Sequence, residues 1–335
     1  MAPRNWSVAE NSWSNSCMPA RSQVERIKPP ALRVGDNMGI VAPASYFKSQ
    51  DFEDGCAVLR RMGYNPVFDE SIFDRDLYFA GPVERRVREL EKMFLRDDVK
   101  AILCARGGYG SNYLLPAIDI GKISSHPKAF IGYSDNTTLQ TYFCDAAGIV
   151  TFHGPMVAKD FAKADGIDIE SWQAALSGRE NWRFDFDSNS GVKPLAQGSA
   201  EGVLYGGCLS MLVESLGTQY EICTEGAILF IEDVGTKPYQ IDRMLMHLKL
   251  AGKLHGVRGL VFGEMLDCGP APGQGYTLEE VVMRVVGDLR VPVAYGLRSG
   301  HVSSHNMTLP IGVSAVLNVG GSGVTLEILE PATTA

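Results

Sequence analysis

The chain has 335 residues, 45% of them hydrophobic and 21% charged, with a formal charge of −8. That length exceeds the usual reach of one hydrophobic core, so two domains are expected, and the acidic balance excludes broad electrostatic attraction to nucleic acid or to an anionic membrane. No apolar run approaches the ~18 residues of a membrane span, and the polar N-terminus lacks the continuous apolar block of a secretory signal, which makes the cytoplasm the default location.

Residues 1–31 show no periodicity and close on Pro29-Pro30, so they are expected to form an irregular arm. NMGIVAPAS (37–45) then reads as a buried strand, FEDGCAVLRRMG (52–63) as a helix and NPVFD as a second strand. VERRVRELEKMFLRD (83–97) places Val87, Leu90, Met93 and Phe94 on one helical face, which leaves Arg85, Arg86, Arg88 and their neighbouring glutamates as a solvated face. VKAILCA (99–105) and KAFIGY (128–133) are apolar throughout, with a helical pattern, SNYLLPAI, between them and another after Ser134. Strands without polar alternation, joined through helices, imply a parallel sheet covered on both faces.

The pattern weakens over 161–198, the expected connection, and restarts with EGVLYGG. AILFIEDV (227–234) is an apolar strand ending in two acids, VRGLVFGEM is another, and TLEEVVMRVVGDL opens with the capping box Thr277-x-x-Glu280. SAVLNVGGSGVTLEIL reads as a hairpin about a glycine-rich turn. The expected fold is α/β: a parallel-sheet domain over 32–160, then a mixed, β-rich domain over 199–331.

Candidate chemistry collects at strand ends, where loops and helix N-termini converge in parallel sheets. Ser134, in FIGYSDNTT, ends an apolar strand just before a helix. A strand–turn–helix passage of this kind can push a serine out of the surface, but Asn136 stands where the G-x-S-x-G elbow has its second glycine. Ser134 or Asp135 can equally cap the following helix. Gly107, Gly108 and Gly110 end another strand and fit neither G-x-G-x-x-G nor the Walker loop, which leaves a tight turn or an oxyanion-stabilising loop.

A serine at neutral pH needs a base, and the base an orienting carboxylate. His126 and His255 fall in polar loops, His247 among apolar helix residues, and His153 in TFHGPM can reach a site or support a turn. His301 lies in an irregular loop that suits catalysis. His301 and His305 are four apart, yet no helical stripe or following acid completes a metal site, and none is expected. Glu232 and Asp233, at the tip of an apolar strand, are costly there unless paired or functional. The seven cysteines, no two closer than 15 positions, suggest neither disulfides nor a CxxC site.

ARGGYGSNYLLPAIDI, FIGYSDNTTLQTYF, TFHGP, AILFIEDVGTKPYQIDRMLMHL and SGHVSSHNMTLPIG, in this order, resemble the LD-carboxypeptidase family of serine peptidases, from about residue 32 to 330. That family includes murein tetrapeptide carboxypeptidases and microcin C self-immunity peptidases. The resemblance implies a Rossmann-like N-terminal domain, a β-rich C-terminal domain and a homodimer. It implies a triad of Ser134, Glu232 and His301, with the backbone N–H groups of Gly108 and Asp135 as oxyanion donors and no cofactor. Arg106, beside the glycine turn, can hold a substrate carboxylate in two hydrogen bonds or sit in a structural ion pair. The implied substrate is a small peptide, a murein tetrapeptide losing D-alanine in peptidoglycan recycling. Two alternatives remain: a microcin-immunity-type peptidase or amidase acting on peptidyl or aminoacyl nucleotides, with Trp172 or Trp182 stacking a base, and a non-catalytic small-molecule-binding protein.

Overall fold

In a computed structural model of the chain, residues 26–187, 190–321 and 323–334 are described; most of the expected N-terminal arm, residues 1–25, lies outside them. Two sheets carry the fold. The first half runs β1 (Asn37–Val41), α1 (Ser49–Arg61), β2 (Asn65–Val67), α2 (Val83–Leu95), β3 (Val99–Cys104), α3 (Ile120–Ser125), β4 (Ala129–Gly132), α4 (Thr137–Ala146) and β5 (Thr151–His153). It continues through α5 (Ile169–Leu176), β6 (Trp182–Phe186), β7 (Lys193–Ala196), β8 (Gly198–Cys208), α6 (Leu209–Glu214), β9 (Ala227–Glu232) and α7 (Pro238–Leu250). The chain ends with β10 (Gly259–Gly263), α8 (Leu278–Val286), β11 (Val293–Leu297), β12 (Leu309–Ile311), β13 (Val313–Gly320) and β14 (Gly323–Ile328).

The first sheet has the order β12-β5-β4-β3-β1-β2, parallel except for β12. The order turns back between β1 and β3, and at such a switch point the loops leaving two strand tips part and open a crevice. Every residue of β4 and β9 is buried, which is why both read as continuous apolar runs. The second sheet, β6-β14-β13-β8-β9-β10-β11-β7, is mixed as expected: β8 to β11 pair in parallel, and antiparallel strands flank them.

Three local differences from the sequence reading have physical causes. SNYLLPAI forms only a 3-10 turn, Ser111–Tyr113; Gly110 enters it left-handed, and Pro116 has no N–H with which to continue a helix. The stretch 161–198 is not bare connection, since it carries α5 and two edge strands of the second sheet. On α2, Arg88 is exposed as expected, but Arg85, Arg86 and Glu89 are buried. Arg85 donates to Glu89 at 2.7 Å, while Arg86 reaches the Pro43 and Gly110 carbonyls and lies over the Phe79 ring. Helical periodicity sorts charges outward by default, and only the neighbouring loops reveal that these are spent inside.

β12 ties the two halves of the sequence together. It belongs to the C-terminal part of the chain, yet it pairs with β5, Leu309 opposite His153. The loop before it is thereby drawn to the carboxyl ends of the first sheet. No helix among the described residues is long and apolar enough to cross a membrane.

Candidate active site

Ser134 follows β4 after one residue, Tyr133, and has φ +64°, a left-handed conformation that costs a non-glycine residue roughly 1–3 kcal/mol. The turn that imposes it is held from inside. Asn136, fully buried, donates its Nδ2–H groups to the Tyr133 carbonyl at 3.1 Å and the Arg106 carbonyl at 3.3 Å. The residue that departs from the hydrolase elbow therefore bolts the serine turn to the glycine loop. No side chain caps α4, and the Asp135 carboxylate turns away to accept the Ser111 N–H at 2.8 Å, so the capping reading fails for both residues. Burial raises Asp135 above the ordinary carboxylate value, against the hydrogen bonds from Ser111 and Gly110 and the charge of Arg86.

The glycine loop leaves β3 and lies against the serine: a Cβ on Gly107 would sit 2.8 Å from Ser134 Cβ. Ser45, just beyond β1, pins it by accepting the Tyr109 N–H at 3.1 Å and donating its own N–H to the Gly107 carbonyl at 3.3 Å. The N–H groups of Gly108 and Asp135 make no hydrogen bond within the chain among the described residues. Arg106 is exposed and gives one Nη1 bond, 2.8 Å, to the Tyr46 carbonyl.

The two acids ending β9 separate by role. Asp233 accepts from Ser210, Val234 and Thr236 and fastens the local turn. Glu232, with no exposed surface, turns to His301: Oε2 accepts the His301 backbone N–H at 3.0 Å and faces its Nδ1 at 2.7 Å. Nδ1 therefore carries the proton, and Nε2 is the nitrogen left to act as a base. Gly300 permits the approach, with φ +94° and with its absent Cβ falling 2.5 Å from Glu232 Cδ. Burial alone pushes Glu232 up, but the charge and hydrogen bonds of His301, with His153 nearby, hold it well below the usual carboxylate range. Burial pushes His301 down; Glu232 overrides this, and the imidazole ends above its ordinary value.

The His301 ring packs edge-on against Tyr133, the residue before Ser134, with centroids 5.0 Å apart. Tyr133 Oη donates to Asp160 at 3.3 Å; burial raises Asp160 to about 6, with the Met156 N–H and the Asn306 amide opposing. Asn306 in turn accepts the Gly300 N–H at 2.9 Å. His305 is exposed and bonds Ser304, so it makes no pair with His301, and His247 is exposed on α7.

Ser45, Asp160 and Cys208 carried no signal in the sequence. Cys208 lies opposite Glu232 in the register of β8 and β9, and its Sγ is within 4.8 Å of donor atoms of Glu232 and His301. Burial, reinforced by Glu232 and Asp233, pushes its thiol well above the ordinary value, so a neutral group lines the site there.

Two family models match the chain: the LD-carboxypeptidase N-terminal domain over residues 38–154 and the LD-carboxypeptidase C-terminal domain over 201–317. The "Probable murein peptide carboxypeptidase" of Bacillus subtilis (strain 168) is 36% identical over 301 residues, 90% of this chain and 94% of that protein. Among solved structures, MccF in complex with glutamyl sulfamoyl guanosine superimposes with a TM-score of 0.82 at 25% identity, covering 92% of this chain and 99% of its own. The muramoyltetrapeptide carboxypeptidase of Oxalobacter formigenes superimposes with a TM-score of 0.79 at 29% identity, covering 89% and 100%.

Proposed function

The chain belongs to the LD-carboxypeptidase family of serine-type peptidases, and on that premise we propose that it hydrolyses the bond between an L-centre and a terminal D-amino acid, using Ser134, His301 and Glu232. The observation that carries this reading is the buried Glu232–His301 pair, 2.7 Å apart, whose imidazole packs on Tyr133, the residue before a serine in a strained turn. His301 Nε2 takes the proton from Ser134 Oγ as the oxygen attacks the peptide carbonyl, and Glu232 stabilises the imidazolium that forms. The uncommitted N–H groups of Gly108 and Asp135 receive the oxyanion, where one such donor is worth ~10²–10³ in rate. His301 then protonates the leaving amine, and water, activated by the same nitrogen, resolves the acyl-enzyme. The guanidinium of Arg106 is offered to the substrate's terminal carboxylate. No step calls on a cofactor.

The substrate class follows the relatives named for murein peptides: a murein tetrapeptide losing D-alanine, in the cytoplasm, during peptidoglycan recycling. We assign residues 32–160 to the domain of the nucleophile and 199–331 to the domain of Glu232 and His301, with a homodimer as the working assembly, to be checked by sedimentation. The second reading, cleavage of an aminoacyl or peptidyl nucleotide, draws on the likeness to MccF. It asks for an aromatic face to stack a base, and Trp172 and Trp182 are both buried. Family membership sets aside the non-catalytic reading.

Wild type and Ser134→Ala are incubated with murein tetrapeptide and with an aminoacyl sulfamoyl adenylate, and products are followed by mass spectrometry. D-alanine released by wild type alone is the expected result; amino acid released only from the adenylate selects the second reading. Turnover that survives in Ser134→Ala rejects the serine mechanism.

A further inference from the structure

The motif TFHGP supplies no member of the triad, and its histidine has no exposed surface. His153 ends β5, opposite Gly132 of β4 on one side and Leu309 of β12 on the other. It stands between the strand that delivers Ser134 and the strand that follows the His301 loop. Its ring packs edge-on against Phe230, with centroids 5.1 Å apart, and tilts against Tyr133 at 5.9 Å.

Its protons can be counted. Ser299 Oγ lies 2.9 Å from the Met307 carbonyl, which can only accept, so the single hydroxyl proton goes there. The same Oγ is 3.0 Å from His153 Nδ1 and must accept from it, so Nδ1 carries a proton. The other nitrogen, Nε2, faces Glu232 Oε1 at 3.6 Å. Neither atom has another partner among the described residues, and both are shut away from solvent. A lone pair on Nε2 would set two acceptors against each other, and an unsatisfied buried polar group costs roughly 1–3 kcal/mol. A proton between them removes the conflict.

We propose that His153 is a positioning residue: a proton between its Nε2 and Glu232 Oε1 holds one carboxylate oxygen while His301 holds the other, so Glu232 cannot turn and only part of its charge acts on His301. The inference rests on Ser134, Glu232 and His301 being the catalytic triad. Around His301 the other titratable or charged groups are Asp233, Lys159, Cys208 and Tyr133, with Asp160 behind Tyr133. None of them makes a hydrogen bond to Oε1. His153 is therefore the group that divides the carboxylate's charge, and its loss should leave Glu232 acting undivided on the base.

The test uses a fluorophosphonate probe, which reports on the serine and its base whatever the natural substrate is. Labelling rate is measured against pH for wild type, Ser134→Ala, His153→Leu and His153→Gln. Loss of labelling in Ser134→Ala is expected, and labelling at the wild-type rate there overturns the underlying triad before His153 is at issue. His153→Leu should label about 10–100-fold more slowly, with the acid limb of the profile moved up by as much as one pH unit, because the imidazolium is favoured. His153→Gln, which can still donate to Oε1, should recover most of the rate. A rate loss equal in both variants with an unmoved limb overturns the proposal and leaves His153 a packing residue. Should either variant fold poorly, nitrogen-15 imidazole spectra of the native protein decide: Nε2 of His153 should resonate as a hydrogen-bonded, proton-sharing nitrogen and move to the free lone-pair position in Glu232→Gln. A free lone pair in wild type contradicts the proposal.

Discussion

Glu232 and Glu89 are both buried, with 0% and 2% of their surface exposed, and their charges are settled in opposite directions. Glu232 has an imidazole at each oxygen and a backbone N–H besides, and it stays ionised well below the usual carboxylate range. Glu89 has one guanidinium bond; its Oε1 and the Nε and Nη2 of Arg85 lack partners among the described residues. Burial accordingly pushes Glu89 up to about 7 against the pull of Arg85, and burial, with Arg85 alongside, brings Arg86 down to about 10. Depth is the same in both places. What differs is the company: Glu232 Oε2 takes two hydrogen bonds from His301, with a second imidazole 3.6 Å from Oε1, whereas Glu89 has one bond from an Arg85 whose other donors are stranded, and such a pair roughly breaks even against its desolvation.

Breaking the first pair should have the largest effect. Glu232→Gln is expected to lower kcat by ~10³–10⁴, because an amide cannot stabilise the imidazolium or hold its tautomer in the same way; turnover of the tetrapeptide beside a thermal melt separates this from unfolding. Arg85→Met strikes the second pair by removing the charge that opposes burial: Glu89 should then hold its proton past about 7, so up to about 3–5 kcal/mol of stability should be lost only as it is forced to ionise at alkaline pH, while turnover per folded molecule is retained. Denaturant titration at alkaline and at acidic pH checks it, the loss shrinking at the lower pH, where Glu89 keeps its proton.

The comparison sharpens when stability is followed against pH. Glu89 has a folded pKa above its unfolded value, so its contribution is full below about 4.5 and is lost as pH rises through about 7, on the order of 3 kcal/mol in all. Glu232 has a depressed one, so its contribution is present above 4.5 and is lost as pH falls toward its low folded value. Glu89→Gln and Glu232→Gln should therefore tilt the curve of unfolding midpoint against pH in opposite senses; parallel curves would remove the contrast. Ser45→Ala, which deletes one hydroxyl pinning the glycine loop, should cost about 0.5–1.5 kcal/mol and slow turnover by up to about tenfold. Lys122→Ala, at the partly exposed pair with Glu91, should change stability by less than about 1 kcal/mol.

Much of this was legible in the amino-acid order. The runs at 99–105, 128–133 and 227–234 had to be buried strands because a parallel sheet covered on both faces has no polar side to show. Thr277 and Glu280 announced the start of α8 because both partners of a capping box lie within one turn. Ser134, Glu232 and His301 were each marked by local sequence, as a strand end or a loop residue in a family motif.

What the order could not tell is which of these meet. Glu232 and Asp233 are adjacent and equally acidic, and only the loop drawn across by β12 assigns one to His301 and the other to Ser210. His153 and Ser299 are 146 positions apart, and their contact follows from that same three-residue strand. Arg85 and Glu89 wear the spacing of a solvated face and are covered by neighbouring loops. Apolar periodicity is a property of one element and can be read along the chain. The fate of a charge depends on the donors and acceptors that other elements bring to it, and that is decided only when the chain has folded.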